Sequence, residues 1–156
     1  MFTGAKCRRL RSGFDDRGNV MIEFALALPM LFLLLTGLLD LGRYGMQKSA
    51  MLGGARDGAM YGTVAPTDSA NINSTAQTAT SLTGVTATNT VFCQCVAGTT
   101  VACNSTCGGG NLKKYITVTA TRSFTSVLSV ATLNFGSFGS FTPPTSVTAS
   151  ITMAVP

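Results

Sequence analysis

The sequence predicts an α+β protein in which a long N-terminal helix, transmembrane in its first half, precedes a small, mostly antiparallel β domain held by disulfides. Three observations support this prediction: an apolar run over residues 20–39, three later segments in which apolar and polar residues alternate, and four cysteines within one short segment. We divide the chain into a cytoplasmic leader (1–18), the helix (19–62), a polar connecting region (63–84) and an extracytoplasmic β domain (85–156).

The apolar run from Val20 to Leu39 is a candidate membrane span. It is interrupted by Glu23, Pro29, Thr36 and Gly37. As a helix it would reach roughly 30 Å, about the thickness of the hydrocarbon layer. The leader before it carries +3 of the net charge of +5, which keeps the N-terminus in the cytoplasm and places the rest of the chain outside. Because most of the basicity belongs to this topology signal, the charge does not predict nucleic-acid binding.

Beyond the membrane, residues 40–61 contain no proline, so the helix is expected to continue outward. Four small residues recur every four positions in this part and line one face: Ala50, Gly54, Gly58 and Gly62. Small side chains permit close helix approach, and we interpret this face as a packing seam for another subunit. The alternative is a helix that frays at its glycines, each of which costs about 1 kcal/mol relative to alanine.

The later part of the chain predicts a short helix and three strands. Pro66 closes the long helix, and a short helix is expected over Ser69–Ser81. Alternation with a period of two then predicts strands over residues 85–93, 115–121 and 147–155. Glycine- and proline-containing turns between them favour an antiparallel sheet that the outer helix covers.

Four cysteines of the exported part predict two disulfides: Cys93, Cys95, Cys103 and Cys107. Bridges from the first pair to the second pair are expected, because a bridge within Cys-x-Cys would close a very small ring. A nested arrangement, Cys95 with Cys103 and Cys93 with Cys107, would suit a hairpin, but the sequence leaves the connectivity open. A four-thiolate zinc site is the alternative. Its spacing would be unusual and an oxidising compartment disfavours it, so we predict no metal and no cofactor.

Catalysis finds little support, because the chain contains no histidine and few acidic residues. This excludes histidine-dependent triads, and no motif indicates another enzyme class. One aromatic cluster lies in a glycine-rich setting: Phe124, Phe135, Phe138 and Phe141. It is interpreted as a loop folded onto its own core, with an exposed ligand platform as the alternative.

The passage RGNVMIEFALALP (17–29), which continues through leucines to DLGR (40–43), carries a family resemblance. It resembles the TadE-like minor pseudopilins of tight-adherence (Tad, Flp) pilus systems, which are type IV pilin-like proteins. The resemblance covers residues 17–60. Major pilins of these systems are very short chains, so at 156 residues this chain looks like a minor component.

The resemblance implies that a prepilin peptidase cuts between Gly18 and Asn19. Glu23 then becomes the fifth residue of the mature chain and, together with Phe24, belongs to the subunit assembly region. The new ammonium group at Asn19 of a neighbouring subunit would accept Glu23 as its partner, offsetting a burial cost on the order of 3 kcal/mol. The alternative is that Glu23 simply reaches the headgroups, since it lies only four residues into the run.

The resemblance also implies the partners and the location. These are the prepilin peptidase, other pilins and pseudopilins, the inner-membrane pilus assembly platform and membrane lipid, but no nucleic acid. We expect a single pass through the bacterial inner membrane with the C-terminal domain periplasmic, and either retention there or incorporation into an extracellular pilus. The alternative function is an uncut, membrane-anchored exported domain that binds a surface ligand.

Overall fold

The computed structural model describes residues 16–95, 98–108, 110–127, 132–134 and 136–156. Side chains are described from Val20 onward, without those of Leu133 and Phe138. The chain forms two compact units, Met1–Gly37 and Leu38–Pro156. Most of the predicted leader, residues 1–15, lies outside the described part.

The long N-terminal helix, α1, extends over Asp16–Val64, 49 residues. Its part in the first unit exposes large apolar side chains, such as Leu26 and Leu34, which are 74% and 67% exposed. Thr36 lies within the apolar run, and its hydroxyl donates to the carbonyl oxygens of Phe32 at 2.9 Å and Leu33 at 3.0 Å. This satisfies the polar group inside the helix, as a bilayer requires. By length and composition α1 is able to cross a membrane.

The second unit contains a short helix and the strands. Helix α2 covers Ser69–Ala79 and confirms the predicted short helix. The three predicted strands are confirmed as the long strands β1, β3 and β6. The strands are β1 (Val85–Gln94), β2 (Thr100–Val101), β3 (Lys113–Ser123), β4 (Leu133–Asn134), β5 (Ser140–Phe141) and β6 (Ser146–Val155). A single 3₁₀ turn, Gly136–Phe138, separates β4 from β5.

The main sheet has four strands in the order β2-β1-β3-β6, and every neighbouring pair is antiparallel. Its register sets Ala87 opposite Ala120, and Ala120 opposite Ala149. Strands β4 and β5 form a separate two-stranded ribbon within the connection between β3 and β6. The predicted α+β class with an antiparallel sheet is therefore confirmed.

One face of the sheet and the two helices enclose the core. The core comprises Met51, Ala55 and Ala59 of α1, Ile72 and Ala76 of α2, and Ala87, Ile116, Val118, Ala120, Phe124, Val147 and Ala149 of the sheet and its flank. Each of the larger aliphatic side chains contributes about 1.5–3 kcal/mol through burial. The outer half of α1 thus covers the sheet, as the sequence predicted.

The opposite face of the sheet carries threonine and serine. The hydroxyl groups of Thr117 and Thr152 lie 2.7 Å apart, and Thr119 donates to Ser150 at 3.2 Å. Such polar cross-strand pairs are typical of an antiparallel sheet with one face in solvent. The alternation that predicted the strands therefore separates a buried face from a solvated one.

The glycines of the predicted seam face α2 and β3 of the same chain. A Cβ atom added at Gly54 would overlap the carbonyl oxygen of Ala76 and the side chain of Thr80. One added at Gly58 would lie 2.7 Å from the Cβ of Ala76. Gly62 has the same relation to Ile116, whereas Ala50 is half-buried. The structure therefore places a helix and a strand of this chain, rather than another subunit, against the seam.

The corner between α1 and α2 is fixed by Asp68, the N-cap residue of α2. Its carboxylate accepts hydrogen bonds from the Asn71 backbone N–H at 3.2 Å, the Asn71 amide at 2.7 Å and the Tyr61 hydroxyl at 3.2 Å. The Asn71 side-chain hydrogen bond is the main reason that the pKa of Asp68 is lowered. The hydrogen bond that the Tyr61 hydroxyl donates to Asp68 raises the pKa of Tyr61. At neutral pH the Asp68 carboxylate is therefore anionic and the Tyr61 phenol is neutral.

Two adjacent glycines of α1 provide a matched test of the seam. We expect Gly54→Ala to destabilise the protein by about 1–3 kcal/mol, because α2 must move to admit the added methyl group. Gly53→Ala is the control: its Cβ would meet no atom within 4 Å, so it should stabilise the helix by up to about 1 kcal/mol. Thermal unfolding of the detergent-solubilised chain by circular dichroism gives both midpoints. Equal shifts in the two variants would contradict close packing at Gly54.

Candidate functional site

The predicted processing and assembly residues lie at the start of α1. Gly18 and Asn19 are in its first turns, where the structure describes the helical backbone. Glu23 and Phe24 are both exposed, Phe24 by 62%. Their side chains are therefore open to contacts outside this chain, and cleavage after Gly18 stays a prediction.

A second group of residues surrounds the point where the apolar run ends. We call Asp40, Arg43, Tyr44, Phe124 and Ser126–Val127 the membrane-exit cluster. The Asp40 carboxylate accepts the backbone N–H of Val127, with N–O distances of 2.9 and 3.0 Å, and the hydroxyl of Ser126. The Asp40 side chain is 13% exposed, so these bonds lie in a largely covered position. They bind the start of the β3–β6 connection directly to α1.

Arg43, one turn after Asp40, reinforces this contact. Its Nη1 lies 3.8 Å from the Asp40 carboxylate, and its guanidinium lies 5.9 Å from the centre of the Phe124 ring. Since the Arg43 side chain is 46% exposed, the ion pair itself contributes no more than about 1 kcal/mol. A hydrogen bond to a charged acceptor contributes about 1.5–3 kcal/mol. The bonds from Ser126 and Val127 therefore dominate the contact.

Aromatic packing completes the membrane-exit cluster. Phe124 is 6% exposed and meets Tyr44 edge to face, with ring centres 5.5 Å apart and an interplanar angle of 88°. Such a pair contributes about 0.5–1.5 kcal/mol beyond burial. The Nζ of Lys48 lies 6.0 Å from the Tyr44 ring. The membrane-exit cluster thus combines the aromatic contact of Phe124 with the hydrogen bonds by which Asp40 binds the start of the β3–β6 connection.

Sequence reasoning missed the contact at the centre of this cluster. The sequence places Asp40 and Arg43 in the DLGR motif, but nothing in it connects Asp40 with Val127, which is 87 residues away. The available signal was indirect, an acidic residue directly after an apolar run, which predicts the end of a span and not the loop that it binds.

The four cysteines form two disulfides, as predicted, but the connectivity is crossed. Cys93 is bonded to Cys103 with Cα atoms 5.1 Å apart, and Cys95 to Cys107 with Cα atoms 5.6 Å apart. The nested arrangement suggested for a hairpin is therefore wrong. Strand β2 runs antiparallel to β1 with Val101 opposite Cys93, so the chain has already passed Cys95 when it reaches Cys103. All four sulfur atoms are in disulfides, so none of them is a free thiolate for the alternative zinc site.

The predicted aromatic cluster divides into buried and exposed members. Phe124 belongs to the core, as the loop interpretation expected, whereas Phe141 is 54% exposed. Phe135 and the side chain of Phe138 lie outside the described part. Within the described residues, no group of three or more His, Cys, Asp or Glu is placed to hold a metal ion.

In a comparison with protein families, residues 18–60 match the family model described as TadE-like protein. The matched part begins at the predicted cleavage site, includes the apolar run and DLGR, and ends within α1. The predicted resemblance is therefore confirmed over this part of the chain. No curated protein and no solved structure matches the chain.

Two aspartates of α1 allow the loop contact to be tested. We expect Asp40→Asn to lower the unfolding free energy by about 1–3 kcal/mol, because it removes the charge that accepts from Ser126 and Val127. Asp57→Asn makes the same charge change at an exposed position of the same helix and serves as the control. Thermal unfolding in detergent measures the difference. The contact would lose its assigned role if both variants unfolded at the same temperature.

Proposed function

We propose that this protein is a minor pseudopilin of a Tad pilus, with a type IVb-like assembly route. The observation that carries the proposal is the family match over residues 18–60, which begins at the Gly18-Asn19 step and includes Glu23, Phe24 and the apolar run. Among the residues that the structure describes, α1 is the one helix suited to cross a membrane, and a disulfide-bonded domain follows it, which supports single-pass anchoring with an exported domain.

In this role the chain is inserted in the inner membrane with its N-terminus in the cytoplasm. The prepilin peptidase then removes the leader after Gly18, and the mature helix packs with other pilins and pseudopilins at the assembly platform. The domain beyond the helix is too large for a major pilin of these systems, so the protein primes or assists the fibre. The TadE-like family is not known for enzymatic activity, and the sequence without histidine agrees with a structural role.

Processing is the first test of the proposal. Intact mass and N-terminal sequencing, with and without the cognate prepilin peptidase, should show a peptidase-dependent start at Asn19. Gly18→Val should block the cut, because a branched side chain replaces the glycine at the cleaved bond. Gly13→Val places the same change elsewhere in the leader and should be cut normally. An intact leader under both conditions would favour the uncut, anchored binding domain instead.

The second test concerns Glu23. We expect Glu23→Gln to be processed but to associate with pilins roughly a hundredfold more weakly, because it leaves the Asn19 ammonium group of the neighbouring subunit without its partner, and an uncompensated charge in the bilayer costs on the order of 3 kcal/mol. Co-purification of pilins from detergent extracts measures the association, and Asp57→Asn is the control with an equal change in charge. Unchanged co-purification would favour the simpler interpretation, in which Glu23 only reaches the headgroups.

A further inference from the structure

Val127 is an exposed apolar residue at an unusual place in the fold. Its side chain is 53% exposed although its backbone is bound to Asp40. Around the same helical turn Leu38, Leu39 and Leu41 are 68%, 56% and 67% exposed. All of these residues belong to the unit Leu38–Pro156. The end of the apolar run and the start of the β3–β6 connection therefore present apolar side chains together.

The contact with Asp40 fixes the level of Val127 along α1. Asp40 directly follows Leu39, the last residue of the apolar run, and each helical residue rises about 1.5 Å. The Val127 nitrogen is 2.9 Å from the Asp40 carboxylate. Once Leu38 and Leu39 at the end of the apolar run lie at the hydrocarbon boundary, Val127 of the same unit lies within one or two helical turns of that boundary, in the interfacial layer of the bilayer.

The charges around Val127 suit this layer. Arg43 and Lys48 lie one and about two turns beyond Asp40, and both are exposed. Long basic side chains at this height reach lipid phosphates. The Asp40 carboxylate accepts hydrogen bonds from Ser126 and Val127 and forms an ion pair with Arg43, so its negative charge faces the loop rather than the lipid. Tyr44 adds an aromatic residue of the kind enriched at membrane interfaces.

We propose that the segment Phe124–Val127 is a second lipid-contact site, in which Val127 enters the interfacial layer of the phospholipid bilayer while Asp40 holds the segment against α1. The proposal goes beyond pilus assembly, but it rests on the proposed insertion of α1. One valine does not anchor a domain. Because the helix already anchors the chain, this contact instead orients the exported domain on the membrane surface, and extraction of the helix into a fibre breaks it.

The chain contains no tryptophan, so single-tryptophan variants report position directly. Val127→Trp, Leu35→Trp and Val64→Trp are each placed in the full chain and reconstituted in phosphatidylcholine–phosphatidylglycerol vesicles. The vesicles contain lipids brominated either near the glycerol end or near the methyl end of the acyl chain. Val64 is the aqueous control, because it is 87% exposed and lies about 36 Å beyond Asp40 along α1. Leu35 reports the span itself.

We expect bromines near the glycerol end to quench Val127→Trp at least about twofold more than Val64→Trp, as for an interfacial side chain. Adding Asp40→Asn should reduce this quenching, while circular dichroism checks that the sheet is retained. If Leu35→Trp is quenched by deep bromines but Val127→Trp behaves like Val64→Trp, the lipid contact is overturned and insertion stands. If Leu35→Trp is not quenched either, insertion and the lipid contact both fail.

Discussion

Close packing between the outer half of α1, α2 and the sheet is the constraint on which the second unit depends. Met51 and Ala59 of α1 and Ile72 of α2 are fully buried against sheet residues that would otherwise face water. The glycines make this possible, because at Gly54 and Gly58 the backbone of α1 approaches α2 more closely than any side chain would allow. An antiparallel sheet with one polar face needs such a cover for the other.

Two further restraints act where this packing ends. At the membrane end of the outer helix, Asp40 holds the β3–β6 connection through Ser126 and Val127. At the C-terminal end of β1, the crossed disulfides close the segment that contains β2. This strand has only two residues and would contribute little stability alone. A domain of this size has a modest core, so covalent and electrostatic restraints stabilise the loops that hydrophobic burial does not reach.

Local sequence patterns predicted the helices and the long strands, whereas the packing partners and the disulfide connectivity depend on contacts between distant parts of the chain. Alternation over residues 115–121 was enough for β3, because the period of a strand is visible within one segment. The partner of the glycine seam was not visible: small residues at Gly54 and Gly58 permit close approach by any helix, and the chain supplied its own α2. Disulfide connectivity likewise depended on the register of β2, which two residues cannot reveal. The Asp40 contact joins residues 87 apart and has no local signal.

The placement of charges along α1 suits a helix that passes from a bilayer into water. Between Arg17 and Asp40 the sequence has one ionisable side chain, Glu23, whereas from Asp40 to the end of α1 it has five charged residues: Asp40, Arg43, Lys48, Arg56 and Asp57. A carboxylate just inside an apolar run is costly unless it finds a cation. Under the proposed processing, the cut that removes the leader's basic residues also creates an ammonium group at Asn19. Before the cut, positive charge would fix the topology; after it, the same end of the chain would carry a cation for Glu23 of a neighbouring subunit to bind. Processing would then convert a topology signal into an assembly site.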